Sequence, residues 1–170
     1  MYSGILQLFQ ALQAQLTLFG VTLLYGEESQ NDQSGALPLA IMVPVSGTYV
    51  EPGYAKAYPS TRNFLVTVKE DVDFYLWAYN QTDDTPIGHT QAAENLRQVL
   101  IQACFNQLQT GASYNPKGHS WLTMNGANGR YGRGMKIRIQ FDLVVPDIAP
   151  DTTTITTTEI DSEIDTVISP

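Results

Sequence analysis

The stretch from Met135 to Leu143 constrains the fold more than any other part of the chain. Met135, Ile137, Ile139, Phe141 and Leu143 alternate there with Lys136, Arg138, Gln140 and Asp142. Successive strand side chains point to opposite faces, so this run is a strand with one face on a core and the other toward solvent or a partner. Such a strand needs neighbours, and the sequence offers several. Phe64 to Lys69 and Phe74 to Tyr79 alternate in the same way. Between them, Glu70 to Asp73 reads as a hairpin turn or as a bulged continuation of one long strand. The hairpin is the expectation, although no Asn-Gly or Asp-Gly dipeptide marks it. Leu39 to Val45, bounded by Pro38 and interrupted by Pro44, reads as a strand covered on both faces for most of its length and ending near an edge. Val21 to Tyr25 makes a short further strand. Aromatics fall on both faces of the segment holding Trp77, so its outer face is expected to be covered by a helix or another chain.

Two segments carry helical spacing instead. Ile5, Leu8, Phe9, Leu12 and Leu16 recur every three or four residues, with Ser3 as the expected N-cap and Gly20 as the stop. A second helix is expected from Thr90 as N-cap, with Glu94 in its first turn. Its buried stripe is Ala93, Leu96, Leu100, Ala103, Cys104 and Leu108, and Gly111 ends it. Both helices are expected on one face of the sheet. The fold class is therefore α+β: a mainly antiparallel sheet, two helices packed on one face, and an extended C-terminal arm. Residues 1–146 form the domain and 147–170 the acidic, Thr-rich arm. Three segments read as irregular: Gly26 to Gly35, the tyrosine-bearing excursion Gly47 to Asn63, and the glycine-rich connection Gly111 to Gly134, with room for a short strand at Trp121 to Met124.

The net charge of −8 is unevenly spread. All nine Lys and Arg precede Pro146 along with eleven acids, and the six remaining acids follow it with no base. The body is thus nearly neutral and makes no general case for nucleic-acid binding. No acid falls between Glu94 and Asp142, where Arg97, Lys117, Arg130, Arg133, Lys136 and Arg138 lie. That surface is either a solvated basic face or a dock for an acidic partner, the tail of a neighbouring copy included. The tail itself reads as a disordered solubilising segment or as an arm whose Thr and Ile residues add to a neighbour's sheet edge.

Residue groupings that support chemistry are missing from the sequence. The glycines from Gly126 to Gly134 lack the Gly-Lys-Ser/Thr ending of a phosphate loop, and Arg130, Tyr131 and Arg133 there suit a protein contact or a plain loop. His89 and His119, each beside a glycine in a turn, read as exposed or capping residues and have no metal-ligand spacing with Cys104. Cys104 lies on a helical apolar stripe. Asp71/Asp73 and Asp83/Asp84 read as turn and helix-approach residues rather than a catalytic pair. The chain is thus expected not to be an enzyme, with no cofactor and no metal. The apolar N-terminus, interrupted by Gln7, Gln10, Gln13 and Gln15, reads as neither signal peptide nor membrane span, so synthesis in the cytoplasm and no membrane partner are expected.

Taken in order, the segment LPLAIMVPV, the strands NFLVTVKE and DFYLWAY leading into AAENLRQVLIQACFNQL, and the closing GMKIRIQFDLVV resemble the tail-terminator, or tail-completion, proteins of long-tailed bacteriophages. Those proteins cap the finished tail tube and join it to the head connector. The similarity covers most of Met1 to Val145 and rests on element order and strand texture. It implies a homomeric ring, usually of six copies, contacting the tail-tube protein and the head-connector or stopper protein. DNA would pass through the lumen without sequence-specific binding, and the location would be the virion neck. The resemblance transfers no catalytic residue. Interface candidates are Tyr54 and Tyr58 of the excursion, Trp77, the trio Arg130, Tyr131 and Arg133, and Ile155 and Ile160 of the arm. The acidic arm departs from the family's compact pattern and is expected to cross to an adjacent protein. Other readings are another neck or head-completion component, or a binding module using Tyr49, Tyr54 and Tyr58.

Overall fold

The computed structural model describes residues 4–26, 37–50, 66–108, 113–125 and 131–145. In chain order these form α1 (Ile5–Thr17), β1 (Thr22–Tyr25), β2 (Leu39–Val50), β3 (Val66–Ala78), α2 (Pro86–Leu108), β4 (Ser113–Asn125) and β5 (Tyr131–Val145). The five strands make one sheet in the order β1-β2-β3-β5-β4. Only the β1–β2 pairing is parallel; the others are antiparallel. This is the expected α+β architecture. Residues 51–65 and the arm 147–170 lie outside the described residues, as do the side chain of Tyr131 and the proposed stop Gly111.

Helix α1 buries Leu8, Leu12 and Leu16 completely, one residue per turn on a single stripe. Its N-cap is Gly4, which makes no side-chain cap hydrogen bond, and not Ser3. Gly20 stands at φ +71°, a conformation open to glycine at no steric cost. There the chain reverses, Val21 N–H donates to Leu16 O, and β1 follows alongside β2.

Three strand expectations need correction. The hairpin at Glu70 to Asp73 does not exist: β3 runs straight through it, pairing with β2 on one side and β5 on the other. The physical reason is that Val72 is fully buried on the helix side, while Asp71 and Asp73 find partners on β5 that make turn formation unnecessary. β2 passes Pro44 with a bulge between Pro44 and Ser46 and continues to Val50, so Gly47 to Val50 is strand rather than excursion. Proline is tolerated because β1 pairs only with Leu39 to Met42, leaving the Pro44 side of the strand without a ladder partner among the described residues. The glycine-rich connection is mostly strand too. β4 and β5 pair from Ser113↔Asp142 to Asn125↔Tyr131.

Helix α2 starts a turn earlier than Thr90. Thr85 is its cap: Gly88 N–H donates to Thr85 Oγ1 at 3.1 Å and His89 N–H to Thr85 O at 3.0 Å. Pro86 then takes the first helical position, where its missing N–H costs nothing. Glu94 consequently lies beyond the first turn, which holds no acid.

The core sits between the helices and one face of the sheet. Ala93, Leu96, Leu100, Ala103 and Cys104 of α2 pack with the α1 stripe on Phe74, Leu76, Met135, Ile137, Ile139, Phe141 and Leu143. Phe74 and Phe141 meet edge to face at 6.2 Å. Burying each such side chain is worth about 1.5–3 kcal/mol. A second, smaller cluster of Leu39, Ile41, Val43 and Trp77 occupies the opposite face, at the β2 and β3 side.

Candidate functional site

The outer face of the sheet, away from the helices, combines that apolar cluster with a charged one. Asp73 is only 3% exposed. Its carboxylate accepts from Arg138 Nε at 2.7 Å and from a second Arg138 guanidinium nitrogen at 2.8 Å, and Lys136 Nζ lies 2.8 Å away. Burial alone would push its pKa up, but the hydrogen bonds and positive charges of Arg138 and Lys136 win and hold it below its ordinary value. The same bonds to Asp73 push both cations up. Lys136 also lies 5.5 Å from the Tyr75 ring centroid, and Gln140 Nε2 donates to Asp71. Neighbouring strands thus hold this network as cross-strand pairs. With both of its cations on β5 committed to a carboxylate inside the chain, the outer face is a structural clamp rather than a bare basic dock.

Trp77 is placed in the outer apolar cluster and is 4% exposed. It is therefore a core residue, not a displayed contact. Gly134 makes room for it: a Cβ on that glycine would stand 2.4 Å from the Trp77 ring. The glycine serves close approach between strands, not loop freedom. Arg133 likewise sits in β5, with its guanidinium carbon 5.4 Å from the Trp121 ring centroid. Tyr54, Tyr58, Arg130, Ile155 and Ile160 lie outside the described residues. Of the interface candidates, only Trp77 and Arg133 therefore have described side chains, and these two are not brought into one patch.

Of the two histidines, His89 departs from expectation, while His119 is exposed as expected, though in a strand. His89 is buried in the first turn of α2 rather than placed in a turn at the surface. Its Nδ1 accepts the Asn80 N–H at 3.2 Å, so Nε2 carries the proton and donates to Asp84 Oδ1 at 2.9 Å, while the ring stacks on Tyr79. His89, Asn80 and Asp84 together lock the β3-to-α2 connection. His119 is exposed in β4, edge-on to Trp121. Burial raises the Cys104 thiol to about 12, leaving it protonated. Among the described residues, no cluster of three or more His, Cys, Asp or Glu could hold a metal, and no helix is long and apolar enough to cross a membrane.

The most distinctive surface is one that sequence reasoning missed. Residues 4–26 and 37–50, which build α1, β1 and β2, contain no charged side chain at all. Among the described residues, most of the exposed large apolar side chains belong to this half: Leu6, Leu18, Phe19, Tyr25, Val45, Tyr49 and Val50. Leu18 is 77% exposed and Tyr49 72%. Isolated exposed apolar residues are ordinary, but charge depletion over two paired segments, with Glu27, Glu28 and Asp32 confined to the connection between them, together with exposed aromatics is the kind of composition found at interface cores. The signal was present in the sequence, because the first charged residue is Glu27.

The sheet's opposite edge is β4, exposed along most of its length. Beside it, α2 and β4 enclose an open groove of ≈ 380 Å³ lined by Arg97, Gln98, Ile101, Gln102, Phe105 and Tyr114. The two sides of the sheet are thus chemically unlike: one uncharged and apolar, the other aromatic with basic residues. No protein-family model matches this chain, and no curated protein matches it significantly.

Proposed function

We propose that this chain is a structural subunit of a bacteriophage neck or tail end, assembling into a ring that caps the tail tube and joins it to the head connector. The resemblance of the segments from LPLAIMVPV to GMKIRIQFDLVV supports this reading, with β3 one strand where two were expected. The observation that carries it is the pair of unlike edges on one sheet, the charge-free α1-β1-β2 half and the β4 side. A surface that meets a different surface on the next copy makes a heterologous contact, and repeated heterologous contacts close into a ring or run on as a filament. Six copies is the number the resemblance favours. The near-neutral body suits a wall along which DNA passes without sequence-specific readout. Tail-tube protein and a connector or stopper protein are the partners proposed for the two ends of the ring, in the virion.

The test is native mass spectrometry and negative-stain microscopy of the purified chain, alone and with tail tubes. A closed ring seated on tube ends is the expected result. Leu18→Glu, which puts a charge on the uncharged half, should lower the assembled fraction at least tenfold while leaving the monomer's thermal unfolding unchanged. A chain that stays monomeric beside tubes at every concentration refutes the reading.

A further inference from the structure

We propose that the groove between α2 and β4 receives the chain's own acidic C-terminal segment, residues 151–170. The groove is apolar along Ile101, Phe105 and Tyr114, with Arg97 on its rim. Phe105 is 51% exposed, on the same helix that buries Leu96, Leu100 and Cys104. No acid occurs between Glu94 and Asp142, so α2 beyond Glu94 and all of β4 carry only positive formal charge, on Arg97 and Lys117. The segment beyond Pro146 has the complementary character: six acids, no base, and Ile155, Ile160, Ile164 and Ile168 spaced among threonines. Its isoleucines match the apolar side chains of the groove and its carboxylates match Arg97, and Thr and Ile favour the extended backbone that lies along a strand edge.

Chain geometry selects the occupant. β5 ends at Val145, and Phe141, four residues earlier, pairs with Tyr114 of the groove. The chain therefore leaves the sheet at the end where the groove begins. The ten residues from Pro146 to Ile155 span up to ~30 Å between their ends when extended. The eight-residue separation of Arg97 and Phe105 covers only ~12 Å along the helix. A tethered segment is present at an effective concentration of order millimolar, above that of a neighbour's arm in dilute solution. This docking does not require that copies assemble, so it stands or falls separately from the ring.

Engineered cysteines in the full chain test it cleanly, because the native Cys104 is buried and its thiol stays protonated. Gln98→Cys combined with Ile160→Cys is oxidised gently, and disulfide-linked peptides are identified from a mixture of isotopically heavy and light protein. Lys69→Cys with Ile160→Cys is the control, since Lys69 lies on the outer face of the sheet and pairs with Asp142. Cross-linking of the groove pair within one molecule, several-fold above the control, is the expected result. Equal yields in both pairs overturn the proposal, as do heavy–light mixed peptides, which would place a neighbour's arm in the groove. Gln102→Cys with Ile155→Cys is the replacement pair if the first variant loses its far-ultraviolet dichroism.

Discussion

Replacing Asp73 with asparagine removes one negative charge and little volume from the centre of the sheet. In the native chain the carboxylate makes three charge-assisted contacts of 2.7–2.8 Å to Arg138 and Lys136. Removing one partner of a fully buried ion pair costs about 3–5 kcal/mol. Here the cations are less confined, with side chains 41% and 33% exposed, so both recover hydration, and the amide oxygen still accepts. The expected loss for Asp73→Asn at pH 7 is therefore about 2 kcal/mol, or about 6–8 °C in unfolding temperature for a body of this size. The pH dependence follows from the depressed carboxyl pKa. The stabilisation is complete above the ordinary Asp value near 3.8 and is lost as pH falls through the lower, folded-state value. Urea unfolding of both proteins between pH 7 and pH 2 should show a gap that is constant down to about pH 4 and narrows below it. A gap under about 0.5 kcal/mol at neutral pH, or one that ignores acid, refutes the clamp.

Other substitutions test separate parts of the fold. Gly134→Ala drives a methyl to 2.4 Å from the Trp77 ring and 3.1 Å from Leu122, and should cost about 2–3 kcal/mol with a shifted tryptophan emission. Thr85→Ala removes the oxygen that accepts the Gly88 N–H, and should lower stability by about 1 kcal/mol in the same urea assay. Cys104, with its thiol raised to about 12, should react with an aromatic disulfide reagent only as fast as the protein unfolds, and reaction in seconds under native conditions would contradict its burial.

The sequence made the sheet legible wherever alternation was long and clean. Met135 to Leu143 behaves as read, with its apolar members buried to within a few per cent. Three acids around Val72 give Glu70 to Asp73 the look of a turn, but the phase of the pattern outweighs them. Val66, Val68, Val72, Phe74, Leu76 and Ala78 keep even numbering across the supposed turn, with Glu70 the single polar exception, so the phase carries through. A hairpin offers no reason for that phase to survive. The glycines misled for a similar reason: Gly134 is required by the bulk of Trp77 on an adjacent strand, a tertiary demand that local turn propensity does not reveal. Pro44 reads as an end to β2, whereas among the described residues β1 pairs only with Leu39 to Met42, a tertiary fact that local sequence does not reveal. The helix stripes were readable from spacing, but the α2 start was not, since Thr85-Pro86 was passed over in favour of Thr90. Of the candidate interface, the acid-free basic segment is continuous in sequence, whereas the two uncharged segments are separated by Glu27, Glu28 and Asp32 and meet only through the β1–β2 pairing.

That uncharged half sets the conditions under which any contact made through it would hold. With no ionised groups on α1, β1 or β2 to screen, it is nearly indifferent to ionic strength as such, unlike electrostatically steered joints. Its dependence lies with temperature: apolar association weakens on cooling and strengthens when sulfate or phosphate is added. Chilling, rather than brine, is the way to take such a joint apart.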